Sequence, residues 1–224
     1  MGRAIVAGGA EATKPITGIL LSDIAEGSIV KLNENGSPVE FYVACHDYES
    51  TLNGTGRTLL VRKDNYGTTC MWNSASRNVY KNSTVDTWLN DTYKNVLDSL
   101  VIEAIGTTSF KYTPMNGDTA IGTLIRSVFI LSAKELGMTS SYMNYEGSTL
   151  PISNLLKIAY KDGSANNQGT RSPDTSTNYV FFYLDSTGTL KYLNASSSLY
   201  PRPCFTLPSA SLFDKNTLLF KGVA

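Results

Sequence analysis

Apolar and polar residues alternate along residues 39–45: Val39, Phe41, Val43 and Cys45 fall on one face, Glu40, Tyr42 and Ala44 on the other. A period of two with one apolar face predicts a strand with one buried side. It follows the apolar stretch 28–32 across the turn sequence Asn33-Glu-Asn-Gly36, so the two read as a hairpin. A third strand, 58–62, follows the glycine-rich Asn53-Gly-Thr-Gly56. The period then changes. Val85, Trp88, Leu89, Val96, Leu97 and Leu100 recur every three or four residues, which predicts an amphipathic helix. Ser83 is placed to cap that helix, with Asp86 in its first turn.

The apolar run 128–131 predicts a buried strand, followed by a short helical turn over 132–136 that Gly137 closes. A second short helix is expected over 152–160, a hairpin from 179–184 and 190–193 joined by Asp185-Ser-Thr-Gly188, and a last strand over 204–207. Strands at both ends with helices between them predict an α+β fold. Residues 1–15 contain Gly2, Gly8, Gly9 and Pro15, which do not support a packed element, and read as an attachment arm. Residues 16–224 show neither repeat nor low-complexity linker and read as one domain.

Composition narrows the class. A chain of 224 residues buries roughly 70% of its unfolded surface, so a core needs no disulfide or metal. The 19 basic and 19 acidic side chains cancel, which removes the attraction that nonspecific nucleic-acid binding requires. No apolar run approaches the ~20 residues of a membrane span, and the start of the chain lacks the apolar stretch of a signal peptide. The expectation is a soluble, unexported protein with no nucleic-acid or membrane partner.

Catalytic chemistry has few residues to work with. Cys45, Cys70 and Cys204 are scattered, so neither a disulfide framework nor a zinc site is expected, and no cofactor is implied. His46 is the single histidine, and its neighbour Cys45 points to the opposite face of a strand. Glu103, Glu135 and Glu146 could supply a carboxylate pair, but no spacing brings two together. Glu135, just after an apolar strand, reads better as the buried partner of an arginine, with Arg171 and Arg202 the candidates. The loops 138–149 and 165–169 instead mix tyrosine with Ser, Asn and Gly, the composition of recognition surfaces. Tyr142, Asn144, Tyr145, Asn166, Asn167 and Gln168 are the binding candidates. The two tyrosines could stack on sugar rings, pack on a neighbouring subunit, or fold back onto the core.

Trp72-Asn73, Asn78-Val-Tyr80, Ser83-Thr-Val-Asp-Thr-Trp-Leu-Asn90, Val128-Phe-Ile-Leu-Ser132 with Glu135, Arg171-Ser-Pro173 and Arg202-Pro203 occur in that order. The series, over approximately residues 28 to 208, resembles a family of Firmicutes and bacteriophage proteins marked by Trp-Leu-Asn, Phe-Leu-Leu-Ser, Leu-Arg-Ser-Pro and Val-Arg-Pro motifs. The resemblance implies a C-type-lectin-like, or formylglycine-generating-enzyme-like, α+β domain with paired terminal strands and irregular recognition loops. Trp72, Trp88, Glu135, Arg171 and Arg202 are its expected structural core. Gln168-Gly169-Thr170 stand where the family has tryptophans, and Pro201 replaces the usual valine. The calcium-binding triplet of lectins and the matched cysteine pair of the oxidases are absent, so neither activity is carried over.

The glycine-rich start and polar body also look like virion proteins of phages of Gram-positive hosts. The expected role is a non-enzymatic tail or baseplate component, assembled in the host bacterial cytoplasm. Its arm would hold other virion proteins, while the domain binds a host surface glycan or a second copy of itself. A capsid decoration or head-fibre protein is the alternative. A cell-wall or carbohydrate-active enzyme using Glu135 and Glu146 is the reading from another class.

Overall fold

The computed structural model describes residues 17–114 and 120–224, so the expected attachment arm lies outside the described residues. In chain order the first strands are β1 (Ile19–Leu20), β2 (Ile29–Glu34), β3 (Ser37–Cys45), β4 (Arg57–Arg62), β5 (Cys70–Met71), β6 (Thr108–Tyr112) and β7 (Gly122–Arg126). They are followed by β8 (Ala159–Lys161), β9 (Ser164–Asn166), β10 (Gln168–Pro173), β11 (Val180–Leu184), β12 (Leu190–Asn194), β13 (Ser198–Leu199), β14 (Cys204–Pro208), β15 (Ser211–Phe213) and β16 (Phe220–Val223). The helices are short: α1 (Ser50–Asn53), α2 (Thr84–Asp91), α3 (Ser99–Ile105) and α4 (Ser153–Leu156). The fold is mixed α+β, mostly sheet with a few short helices.

The alternating segment forms β3 as expected. It pairs with β2 across Asn35 and Gly36, whose φ angles of 49° and 75° are the left-handed values a two-residue hairpin turn requires. β4 and β14 complete a four-stranded antiparallel sheet in the order β14-β4-β3-β2. The expected hairpin near the C-terminal end is present as β11–β12, in a second sheet ordered β10-β11-β12. Its inner face meets the core through Phe181, which stacks on Trp72 at 4.8 Å. One contiguous apolar cluster runs from Leu21 to Phe220 and includes buried residues of both sheets. β1 pairs with β15, which pairs with β16, so the first and last described strands share a sheet.

Three expected elements come out differently. The helix read over 85–100 ends at Asp91, and after a 3₁₀ turn at Tyr93–Val96 a separate helix begins at Ser99. The cap itself is as expected, the Ser83 hydroxyl accepting from the Asp86 N–H at 3.2 Å. The break has a tertiary cause: the hairpin turn takes this segment's hydrogen bonds. Asn35 N–H donates to the Val96 carbonyl at 2.6 Å, and Asp98 N–H donates to the Asn33 carbonyl at 3.1 Å. Leu97 and Asp98 are therefore extended, and Leu100 faces solvent.

The apolar run 128–131 is buried but joins no sheet, making a single bridge from Phe129 to Cys204. Further backbone groups of the run are met by the Asn90 side chain at Val128 and by Arg171 at the carbonyls of Ile130 and Leu131. The helix expected over 152–160 shrinks to α4. Gln168 Nε2 donates to the Leu156 and Lys157 carbonyls, doing what a further helical turn would otherwise do. The polar strand β10 carries no apolar alternation that predicts it, and the β6–β7 hairpin, in which Phe110 and Tyr112 alternate with Ser109 and Lys111, is not among the expected elements.

Candidate functional site

Two places gather functional side chains: a sealed ionic centre and an open aromatic cleft. The centre starts from a local motif. In the turn after the 128–131 run, Ser132 N–H donates to Glu135 Oε2 at 2.8 Å, while Glu135 N–H donates to Ser132 Oγ at 3.1 Å. This reciprocal Ser-x-x-Glu arrangement is a capping box, which aims the carboxylate inward. β10 brings Arg171 against it. Nη1 donates to Glu135 Oε2 at 2.7 Å and Nη2 to Oε1 at 2.9 Å, a two-pronged contact in which both side chains are 0% exposed.

The remaining guanidinium N–H groups reach the carbonyls of Lys111, Ile130 and Glu146. The guanidinium also lies over the Phe110 ring, 4.8 Å from its centroid. Tyr48 O–H donates to Glu135 Oε1 at 2.5 Å. Burial, then the Glu135 charge, pushes the Tyr48 phenol well above its ordinary pKa. Burial alone would pull Arg171 down, but Glu135 overrides it and holds the guanidinium charged.

Glu146 joins the same centre. Its Oε1 accepts from Thr113 N–H and its Oε2 from Ser172 O–H, both at 2.6 Å. Burial raises its pKa, with Arg171 and those hydrogen bonds opposing. Glu135 and Glu146 thus come together, which no spacing foretold, but both are fully buried with their oxygens engaged. Gly147 seals the approach. Its φ is +96°, and a Cβ there would stand 2.9 Å from Glu49 Oε1 and 3.1 Å from Glu135 Oε1.

Beside this centre a pocket of about 270 Å³ opens, lined among others by Cys45, Tyr48, Glu49 and Lys111. Burial raises the Glu49 pKa, opposed by the Lys111 ammonium 3.9 Å away. Burial also pushes the Cys45 thiol up to about 11, which leaves it protonated and unreactive at neutral pH. The His46 ring is held at both nitrogens, Nε2 3.1 Å from the Ile24 carbonyl and Nδ1 2.9 Å from Thr58 Oγ1. A carbonyl can only accept, so Nε2 donates. No group of three or more His, Cys, Asp or Glu side chains among the described residues is placed to hold a metal.

The second place is a cleft of about 790 Å³ on the outer face of the β10–β11–β12 sheet, walled by the loop 139–142. Tyr142, Tyr179 and Tyr192 line it with exposures of 55%, 50% and 69%. Val180, Phe182 and Leu190 also line it, with Ser140, Ser141 and Ser176 among its hydroxyl groups.

The binding candidates separate. Tyr142 lines the cleft, whereas Tyr145 is exposed elsewhere with the Lys134 ammonium 4.6 Å from its ring centroid. Asn144 Nδ2 donates to Thr113 Oγ1. Asn166, Asn167 and Gln168 lie around the start of β10 and are not among the residues lining the cleft. Gln168 is a buried brace rather than a loop contact, donating to Leu156 and Lys157 and accepting from Arg202.

The residues expected to form the structural core pack in different ways. Trp72 stacks and donates Nε1–H to the Thr170 carbonyl at 2.8 Å. Trp88 meets Tyr66 edge-on at 5.3 Å and is partly exposed. Arg202 is not a second partner of Glu135. It is 3% exposed and donates to the carbonyls of Arg62, Lys63 and Leu156 and to Gln168 Oε1. Sequence reasoning missed Tyr48, Ser172 and Thr113 in the centre and Tyr179 and Tyr192 in the cleft. The Ser132-x-x-Glu135 spacing was a usable signal for the first group, and the period of two across the β11–β12 hairpin for the second.

A family described as a domain of unknown function, DUF6273, matches residues 55–209. The chain belongs to that family. No curated protein and no solved structure matches it. The DUF6273 span runs from just before β4 to just after β14. It contains Glu135, Glu146, Arg171, Arg202 and the three cleft tyrosines, but not Tyr48.

Proposed function

We propose that this DUF6273 chain is a non-catalytic recognition domain of a bacteriophage particle, a C-type-lectin-like module at the tail or baseplate that presents its cleft outward. One observation carries the reading. Of the exposed tyrosines among the described residues (Tyr142, Tyr145, Tyr160, Tyr179 and Tyr192), three converge on a single open cleft. Large, rigid side chains left in water around a concavity are the mark of a contact surface. The clustered carboxylates Glu135 and Glu146, by contrast, are engaged in holding loops together. The pairing of β1 with β15 supports the lectin-like part of the proposal, because terminal strands pair in that architecture.

Sedimentation of labelled protein with virions, and with host cell walls, tests it. The chain should co-sediment with virions and lose that attachment when residues 1–15 are deleted. It should adsorb to isolated cell walls through the cleft, so that Tyr142→Ala weakens adsorption. Turnover of a cell-wall or sugar substrate by the purified chain would overturn the proposal.

A further inference from the structure

We infer that the cleft formed by Tyr142, Tyr179 and Tyr192 is a binding site for an uncharged oligosaccharide. The inference rests on the recognition reading above and names the ligand class for it. The cleft exists because the β10–β11–β12 sheet has two unlike faces. Phe181 points inward to Trp72. Its neighbours Val180 and Phe182 therefore point outward, and the register sets Tyr192 beside Phe182. A small apolar cluster of Ala133, Met143 and Phe182, with Met138 and Leu190 against it, covers only part of this outer face. The uncovered part is the cleft.

Its volume of about 790 Å³ lies within the ~300–1,000 Å³ of small-ligand sites. Its chemistry is that of a sugar's two-sided surface. A pyranose offers a C–H face, which packs on an aromatic ring, and an edge of hydroxyl groups, which exchange hydrogen bonds with side-chain hydroxyls. The tyrosine rings and Phe182 meet the first requirement, and Ser140, Ser141 and Ser176 the second.

Charge narrows the class further. Asp174 borders the cleft but is buried, its Oδ1 accepting from Ser176 N–H at 2.7 Å and Ser176 O–H at 2.5 Å. Lys191 is the other charged residue of the lining, and its charge also acts on Asp185. With the carboxylate engaged and one formal charge of each sign in the lining, the cleft favours a neutral ligand. The walls are also set in advance. The Tyr142 carbonyl accepts from Thr175 N–H at 2.8 Å, and Tyr192 sits on a strand paired along its whole length. Less ordering is then required when a ligand arrives.

The test is an NMR titration of the ¹⁵N-labelled full chain with maltotriose, cellotriose and tri-N-acetylchitotriose, run beside the cell-wall adsorption assay. At least one trisaccharide should shift the amides of Tyr142, Ser176, Tyr179 and Tyr192 saturably. Tyr142→Ala and Tyr192→Ala should each weaken that binding about tenfold without moving the melting temperature. Tyr160→Ala, an exposed tyrosine on β8, should change nothing.

Failure of all three sugars, or binding that Tyr192→Ala leaves unchanged, overturns the ligand assignment. If the sugars fail while Tyr142→Ala and Tyr192→Ala still abolish adsorption, recognition stands and the ligand is of another class. If the sugars fail and neither variant affects adsorption, the recognition reading falls as well.

Discussion

The two buried arginines solve one problem in different ways. Arg171 and Arg202 are both sealed from water and both hold several loops together. Arg171 faces a carboxylate, and Glu135 keeps it firmly charged despite burial. Arg202 has no carboxylate within ion-pair distance among the described residues. Its positive charge is spread over three carbonyls and one side-chain amide, and burial pulls its pKa down to about 10. It stays protonated at neutral pH, but at a desolvation penalty that Arg171 largely recovers. The difference teaches that a buried cation here needs directed acceptors first and an opposite charge second.

Breaking the Arg171 pair should have the largest effect. Glu135→Gln leaves a guanidinium buried without its counter-charge, which costs about 3–5 kcal/mol. Urea denaturation should show a midpoint shift to match, and a loss under 1 kcal/mol would mean the pair is not what holds the centre. Arg202→Met should cost less, roughly 1–3 kcal/mol, because it strands carbonyl dipoles rather than an ion. Equal losses for the two changes would erase the contrast.

Tyr48→Phe removes one donor from an already well-supported carboxylate and should cost about 1–2 kcal/mol by the same measurement. Outside both centres, Ser83→Ala should cost about 1 kcal/mol, the worth of a helix cap.

The smallest and most specific signature is a pH slope from Glu146. Its folded pKa is raised, chiefly by burial. The unfolded chain therefore ionises first as pH climbs from about 4.3. The folded state binds the extra proton in the window between the two pKa values, so stability falls as pH rises through it. Below the unfolded value that stability is fully present. Glu146→Gln keeps an acceptor for the Thr113 N–H and should flatten this slope while leaving the Glu135 effect intact. An unchanged slope in the variant would assign it to another group.

Local chemistry was legible wherever the signal depended on neighbours in the chain. The β2–β3 hairpin follows from alternation plus Asn35-Gly36, the cap of α2 from Ser83, and the β11–β12 hairpin from its two apolar runs. Glu135 reads as a buried partner of arginine because it follows an apolar run. The choice between Arg171 and Arg202 was not legible, since their flanking residues carry the same local information. Nor was Glu146, which is held in the centre by Thr113 and Ser172, both distant in the chain.

What the sequence determined by itself, then, is the set of short-range preferences: which stretches extend, which coil, and which polar residues sit against apolar ones. Only the tertiary structure decided which long-range partners prevailed. The helix over 85–100 is interrupted because the hairpin turn supplies acceptors and donors that compete with its own hydrogen bonds. The 128–131 run stays outside any sheet because side chains of Asn90 and Arg171 reach its backbone first. Tyr142 meets Tyr179 and Tyr192 because the sheet's outer face is left partly uncovered. Each outcome turns on where buried polar groups find partners across the chain, and local spacing cannot specify contacts between residues tens of positions apart.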